Sequence, residues 1–125
     1  MSDKATCACA GAPKLIFACS GAADVGAVAD QAARKLSKDG AGKMYCLAGI
    51  GGRVSGIMTT TQSAAKILAI DGCPLNCAKE TLLHAGFQGF KHLQLADLGM
   101  EKGKTPPTPE AIAKAAAAGA AKLAC

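Results

Sequence analysis

The sequence predicts a single three-layer α/β domain, with a roughly four-stranded parallel sheet and flanking helices, Rossmann-like or flavodoxin-like in style. Two observations predict this fold. Short apolar runs alternate with segments of helical periodicity, and the connections between them are short, as in successive β–α–β units. Half of the 125 residues are hydrophobic but only 3% are aromatic, so the core must use small aliphatic side chains. That composition suits a parallel sheet covered by alanine-rich helices.

Four apolar runs are the predicted strands. They are KLIFAC, KMYCLAGI, KILAI and FKHLQLADL, at residues 14–19, 43–50, 66–70 and 90–98, the last as a strand or a strand plus a turn. The domain is therefore expected to span residues 14–125. Residues 1–13 are small and polar and are predicted to form a flexible N-terminal arm.

Helices are predicted between and after these strands. The first follows Asp24, a candidate N-cap residue, and carries apolar residues at helical spacing. A short helix is predicted within residues 55–65. The next is expected to begin at Pro74, with Cys73 immediately before it, because proline favours the first helical position. The last begins after Thr108, which is followed by proline and glutamate.

Charge and hydropathy exclude several classes of protein. The net charge is +5, but the basic residues are scattered and are not interleaved with aromatic residues, so nucleic-acid binding is not predicted. The apolar runs fall far short of the ~20 residues that cross a bilayer. The first residues lack the charged and then apolar pattern of a signal peptide. We therefore expect a cytoplasmic protein without membrane association.

Seven cysteines are the unusual feature of the composition. Cys19 ends the first predicted strand, Cys46 lies in the last half of the second, and Cys73 and Cys77 follow the third. The carboxyl ends of parallel strands form the edge of the sheet at which α/β proteins bind ligands. The four thiols are therefore expected to share one site.

A zinc ion is the predicted ligand of these four cysteines. Neighbouring strands lie ~4.8 Å apart, and sulfur atoms around tetrahedral zinc are about 3.8 Å apart, so strand ends can bring thiols together. Cys73 and Cys77 are expected on one face of a helix N-terminus, which favours the thiolate form. The spacing is Cys-x26-Cys-x26-Cys-x3-Cys, without the CxxC pairs of zinc ribbons, so the prediction depends on the fold.

Two alternatives remain open for the same cysteines. Cys73 and Cys77 resemble a redox-active CxxC pair with one residue added, which would make the protein a thiol–disulfide oxidoreductase. Four thiolates also suit an iron–sulfur cluster. His84 and His92 are predicted to be surface or structural histidines, and Asp71 to be a turn residue.

Three stretches of the chain resemble the DGC-domain family. They are CSGAADVG, YCLAGIGGRVSG and, above all, IDGCPLNCAK, which contains the Asp-Gly-Cys triplet in a DGCPxxCA motif. The resemblance covers roughly residues 14–123. This family is regarded as zinc-binding because it has four potential chelating cysteines, and the resemblance places them at Cys19, Cys46, Cys73 and Cys77. It implies no reaction or protein partner, and it leaves Cys7, Cys9 and Cys125 without a role.

Overall fold

The structure is a computed structural model that describes residues 12–124. The predicted N-terminal arm, except for Ala12 and Pro13, lies outside the described residues, and so do Cys7, Cys9 and Cys125. Among residues 12–124, no helix is long and apolar enough to cross a membrane.

Strands and helices alternate through the described residues. The strands are β1 (Lys14–Ala18), β2 (Lys43–Met44), β3 (Lys66–Asp71) and β4 (Lys91–Gln94). The helices are α1 (Asp24–Lys38), α2 (Leu47–Gly51), α3 (Ser55–Gln62), α4 (Cys77–His84) and α5 (Pro109–Leu123), and a 3₁₀ turn, Leu95–Leu98, follows β4.

The four strands form one parallel sheet in the order β2-β1-β3-β4. The longest pairing joins β1 to β3, with Ile16 opposite Leu68 and Ala18 opposite Ile70. This confirms the predicted α/β class and parallel sheet. The order matches the first four strands of the flavodoxin-like arrangement.

Helices cover both faces of the sheet and make three layers. On one face α1 and α5 pack over the side chains of Ile16, Leu68 and Leu93. On the other face Phe17 and Ala69 pack with Leu82 of α4 and Ile50 of α2. Alternate strand residues are thus buried on opposite faces, as the near-continuous apolar runs of a covered parallel strand require.

The second predicted strand is largely wrong. Only Lys43 and Met44 pair with β1, and the remainder of the run turns into the short helix α2. Cys46 is therefore the residue before a helix and not part of a strand. The glycines explain the difference: Gly49 packs so closely on Ile57 that a Cβ there would lie 2.2 Å from its side chain, and glycine also weakens a strand.

The predicted helix start at Pro74 is also wrong. Helix α4 begins at Cys77, because Asn76 before it has the left-handed backbone conformation, with φ 55°. The N–H of Asn76 bonds to the carbonyl of Cys73 at 3.2 Å, which closes a turn. Cys73 and Cys77 therefore do not share a helix face. They lie at the two sides of a connection, residues 71–77, called the 71–77 loop below.

The other predicted helices are present with small shifts. Helix α1 begins at Asp24 itself, with Ala23 as the N-cap residue, so Asp24 does not cap as expected. Thr108 does cap α5, since its hydroxyl accepts the N–H of Ala111 at 3.1 Å. The short helix within residues 55–65 corresponds to α3.

Candidate functional site

The connections around β1 create a crevice at the carboxyl edge of the sheet. From β1 the chain passes to β2 on one side, whereas β3 lies on the other side of β1. Such a reversal separates the connections that leave two adjacent strands, and ligands of open α/β sheets bind there. Cys19 follows β1 directly, and Cys73 comes two residues after the end of β3. Both thiols are therefore placed at this crevice by the topology.

Three of the four predicted cysteines line one cavity of about 490 Å³ at this edge. They are Cys19, Cys73 and Cys77, and Cys77 is exposed while the other two are partly buried. Asp71 and Lys102 are the charged residues among those that line this cavity. These three cysteines therefore border the same cavity, and a shared ligand site for them stays a prediction.

Cys46 lies on the other side of Cys19. It is exposed and lines a groove beside β2 with basic residues, Arg34, Lys38 and Lys43 among them. Cys19 lines the cavity next to that groove, of about 510 Å³, with Tyr45. The structure therefore places Cys19 between Cys46 and the pair formed by Cys73 and Cys77.

The thiols are not arranged around a metal ion in this conformation. Within residues 12–124, no group of three or more histidine, cysteine, aspartate or glutamate side chains has the geometry to hold one. All four cysteines are free thiols. The donor set in the cavity, three soft sulfur atoms, suits a thiophilic metal, but its members would have to move together to ligate it.

Cys19 is the most closely held of the three thiols. Its Sγ atom accepts the backbone N–H of Gly72 at 3.4 Å. Burial raises the pKa of this thiol above its ordinary value, the N–H groups of Gly72 and Gly21 oppose that rise, and the negative charge of Asp71 adds to it. Cys19 therefore stays protonated at neutral pH unless a nearby positive charge stabilises its thiolate form.

Gly72 makes this contact possible because it has no side chain. A Cβ atom there would lie 2.4 Å from the carbonyl oxygen of Val25, at the beginning of α1. That distance is shorter than any real contact, and the atom it meets belongs to the backbone. The middle residue of the Asp-Gly-Cys triplet must therefore be glycine for the 71–77 loop to pack against α1.

Asp71 is a buried carboxylate with three hydrogen-bond donors. Its Oδ1 accepts the N–H of Ala78 at 2.7 Å, and its Oδ2 accepts the N–H of Lys79 at 3.0 Å. The Nε2 atom of His92 lies 2.8 Å from the same Oδ2. Asp71 thus satisfies two of the free amides at the start of α4 in place of a local cap. Its side chain is only 1% exposed.

Asp71 was predicted to be a turn residue, but it is the last residue of β3, and His92 is a structural histidine, one of the two predicted alternatives. The parallel register of β3 and β4 sets Ala69 beside His92 and Asp71 beside Gln94, so these polar residues share one sheet face. A strand with polar residues at alternate positions, next to a strand that ends in aspartate, is the signal that could have indicated this pairing.

Gln94 holds the other part of the 71–77 loop. Its Nε2 donates to the carbonyl of Cys73 at 2.9 Å and to Oδ1 of Asn76 at 2.6 Å. Its Oε1 accepts the N–H of Ala96 at 3.2 Å, which fixes the orientation of the amide. The turn between the two cysteines is therefore fastened to β4.

The loop that contains Lys102 borders the cavity of the three thiols and is held in place by Asp24. The carboxylate of Asp24 accepts the N–H groups of Gly103 and Thr105, both at 2.9 Å. These two hydrogen bonds lower the pKa of Asp24 below its ordinary value. The attachment keeps the neighbouring residue Lys102 in the lining of the cavity that holds the three thiols.

Comparison with known proteins decides the family. The sequence model of the DGC domain matches residues 15–118. The chain belongs to the DGC domain family. A curated relative is the anaerobic and virulence modulator AnvM of Pseudomonas aeruginosa strain PAO1, which is 38% identical over 88 residues, 70% of this chain and 67% of the relative. No solved structure matches the chain. In this DGC protein the triplet that names the family comprises Asp71, Gly72 and Cys73.

Proposed function

We propose that this DGC protein reversibly binds a thiophilic metal ion, most of all zinc. We propose further that binding of the ion regulates the protein. The observation that carries the proposal is the placement of Cys19, Cys73 and Cys77 in the lining of a single cavity at the ligand-binding edge of the sheet. Sulfur atoms are preferred ligands of zinc.

Three thiols leave a coordination position for another donor. Zinc sites with four protein ligands are normally structural, whereas sites with three keep an open position. Cys46 is the protein candidate for that position, but it lies in a separate groove. An incomplete set suits an ion that is taken up and released better than one that is a permanent part of the fold.

Charge in the cavity favours a cation. Asp71 is one of the lining residues and carries a buried carboxylate, and three thiolates would add to its negative charge. A divalent cation compensates these charges, which Lys102 alone does not. Since no three histidine, cysteine, aspartate or glutamate side chains within residues 12–124 are placed to hold a metal ion together, ligation would require the 71–77 loop to move, and that movement is a means of signalling the bound state.

A regulatory role agrees with the family relationship. The relative from Pseudomonas is named a modulator, and a metal-dependent conformational change is one mechanism by which a small protein can modulate a partner. Free thiols at the site require a reducing compartment, which supports the cytoplasmic location we propose.

Metal analysis of protein purified under reducing, anaerobic conditions tests the proposal. We expect one zinc ion per chain at saturation, and a large loss of affinity in Cys19→Ser, Cys73→Ser and Cys77→Ser. Zinc content that is unchanged in all three variants would contradict it. Iron with an equal amount of sulfide would instead identify an iron–sulfur cluster.

A second candidate function is thiol–disulfide exchange by Cys73 and Cys77. The exposed thiol of Cys77 and the turn that brings the backbone of Asn76 within 3.2 Å of Cys73 favour it. A Cys77 thiolate would attack a substrate disulfide and release one thiol. Cys73 would then resolve the mixed disulfide, so that the pair is oxidised, the substrate is reduced to two thiols and the protons are conserved. Turnover with a reductant, together with a Cys73–Cys77 disulfide on mild oxidation, would favour this function over metal binding.

A further inference from the structure

We propose that His92 and Gln94 are positioning residues, which hold the 71–77 loop so that Cys73 and Cys77 face one cavity and thereby set its affinity for a thiophilic metal. The inference rests on the proposed function for the metal, but the positioning itself can be measured without one. Neither residue lies in the family motif, and neither lines the cavity that holds the three thiols.

The two side chains reach the loop at different places. His92 contacts the carboxylate of Asp71, which in turn accepts two amides from the first turn of α4. Gln94 donates to the carbonyl of Cys73 and to the side chain of Asn76. The first contact fixes the beginning of the loop and the helix that carries Cys77, and the second fixes the turn that carries Cys73.

These contacts replace the interactions that usually order such a loop. Asn76 precedes α4 in a left-handed conformation and offers no side-chain cap to the helix. The cap is supplied from a distance by Asp71, and the side chain of Asn76 is bound by Gln94 instead. Because the loop depends on donors from a neighbouring strand, we expect it to move when those donors are removed.

Both donors project from the same face of β4. His92 and Gln94 are two residues apart, and Leu93 between them packs into the core on the opposite face. Among the described residues, 12–124, β4 is an edge strand that pairs with β3 alone. The part of the strand that carries the two donors is therefore anchored by the burial of Leu93, so the donors are held rigidly relative to the sheet.

Removing either His92 or Gln94 as a hydrogen-bond donor is expected to destabilise the contacts of the 71–77 loop. Asp71 is buried, so a variant without the donor of His92 leaves a carboxylate oxygen with one partner fewer and no access to bulk water. Gln94→Glu has nearly the same shape but turns an oxygen toward the carbonyl of Cys73, which replaces attraction with repulsion. Both variants release the loop while the hydrophobic core is left intact.

The experiment compares His92→Leu and Gln94→Glu with wild-type full-length protein. His84→Leu and Gln88→Glu are matched controls, because both residues are exposed and lie outside the loop contacts. His92→Gln is the rescue variant, since its amide can place an N–H donor near the position of Nε2. Circular dichroism verifies that each variant is folded.

The first readout uses metal-free protein and therefore does not depend on the proposed function. Alkylation of Cys73 by iodoacetamide and amide exchange of Ala78 and Lys79 are followed by mass spectrometry. We expect both to accelerate by roughly 10-fold in the two test variants, as the loss of a buried hydrogen bond implies, and to remain unchanged in the controls. Unchanged rates in folded test variants would overturn the inference.

The second readout is zinc affinity, from competition with a chromophoric chelator. We expect roughly 10-fold weaker binding in His92→Leu and Gln94→Glu, which is the effect typical of groups that orient metal ligands, and recovery in His92→Gln. Equal zinc affinity in test and control variants would overturn the link between positioning and affinity. If wild-type protein binds no zinc, the proposed function fails, whereas accelerated alkylation would still establish the positioning role.

Discussion

The backbone N–H of Gly72 points at the Sγ atom of Cys19, 3.4 Å away. This contact joins the end of β1 to the end of β3 across the crevice between their carboxyl ends. It requires the loop after β3 to pass against α1 at a distance that no side chain at position 72 would allow. The glycine of the family triplet thus allows a hydrogen bond to a cysteine that lies more than 50 residues earlier in the chain.

Gly72→Ala is expected to destabilise the fold. The new Cβ would overlap the carbonyl of Val25, and the backbone must shift to relieve this, which costs about 1–3 kcal/mol or more in packed interiors. Urea denaturation of the two proteins measures the difference. Gly56→Ala is the matched control, because a Cβ there meets no atom within 4 Å and this variant should be no less stable than wild type. Equal stability of Gly72→Ala and wild type would contradict the close approach.

Cys19 is expected to react slowly with alkylating agents at neutral pH. Burial, reinforced by the charge of Asp71, holds the pKa of this thiol above 9.0, so its thiolate forms only in alkaline solution. The rate of Cys19 alkylation in metal-free protein should therefore rise with pH, with a midpoint above that of a free cysteine peptide. Asp71→Asn removes a nearby negative charge and should move this midpoint down. A midpoint at or below that of the peptide would refute the expectation.

Zinc affinity should depend on pH for the same reason. Ligation requires the thiolate, so the ion must displace the proton that the raised pKa of Cys19 retains. Affinity should increase as pH rises toward that pKa and level off above it. Calorimetric titration in buffers of different ionisation enthalpy counts the protons released per ion. Binding without proton release at pH 7 would show that Cys19 is not a ligand.

The fold could be predicted from the sequence because its signals are local and repeated. The runs that became β1 and β3 are mostly apolar after an initial lysine, and Thr108 followed by proline identifies the start of α5 without tertiary information. Two signals were misleading. The apolar run KMYCLAGI forms a two-residue strand followed by a helix and not one strand. Pro74 is a residue type that favours the start of a helix, but the left-handed conformation of Asn76 delays the start of α4 to Cys77.

The candidate site could be predicted only in part. Strand ends indicated which edge holds the cysteines, and three of the four do line one cavity there. The position of Cys46 depended on the length of β2, which was overestimated. The contact of His92 with Asp71 joins residues 21 positions apart and depends on the register of β4, which a single sequence does not specify.

Asp24→Asn is expected to reduce stability most at neutral pH. The carboxylate of Asp24 accepts two N–H groups from the loop beside Lys102, which lowers its pKa in the folded protein. A group with a lowered pKa stabilises the fold above its unfolded value, near 3.8, and this contribution is lost as pH falls through the folded value. The difference between wild type and variant should therefore be constant above about pH 5 and shrink below pH 4. A difference that grows as pH falls would contradict this role.

The variant Cys46→Ser distinguishes between a metal site with four thiol ligands and one with three. Because Cys46 lies in a groove apart from the other thiols, we expect this variant to retain one zinc ion per chain, with a smaller loss of affinity than Cys73→Ser. Replacing zinc with cobalt measures the number of thiolate ligands independently, since the intensity of thiolate-to-cobalt charge transfer scales with the number of bound sulfur atoms. Three thiolates should appear in both wild type and Cys46→Ser. If wild type shows four and the variant three, Cys46 moves into the site on binding, and the segment between β2 and α2 must rearrange together with the 71–77 loop.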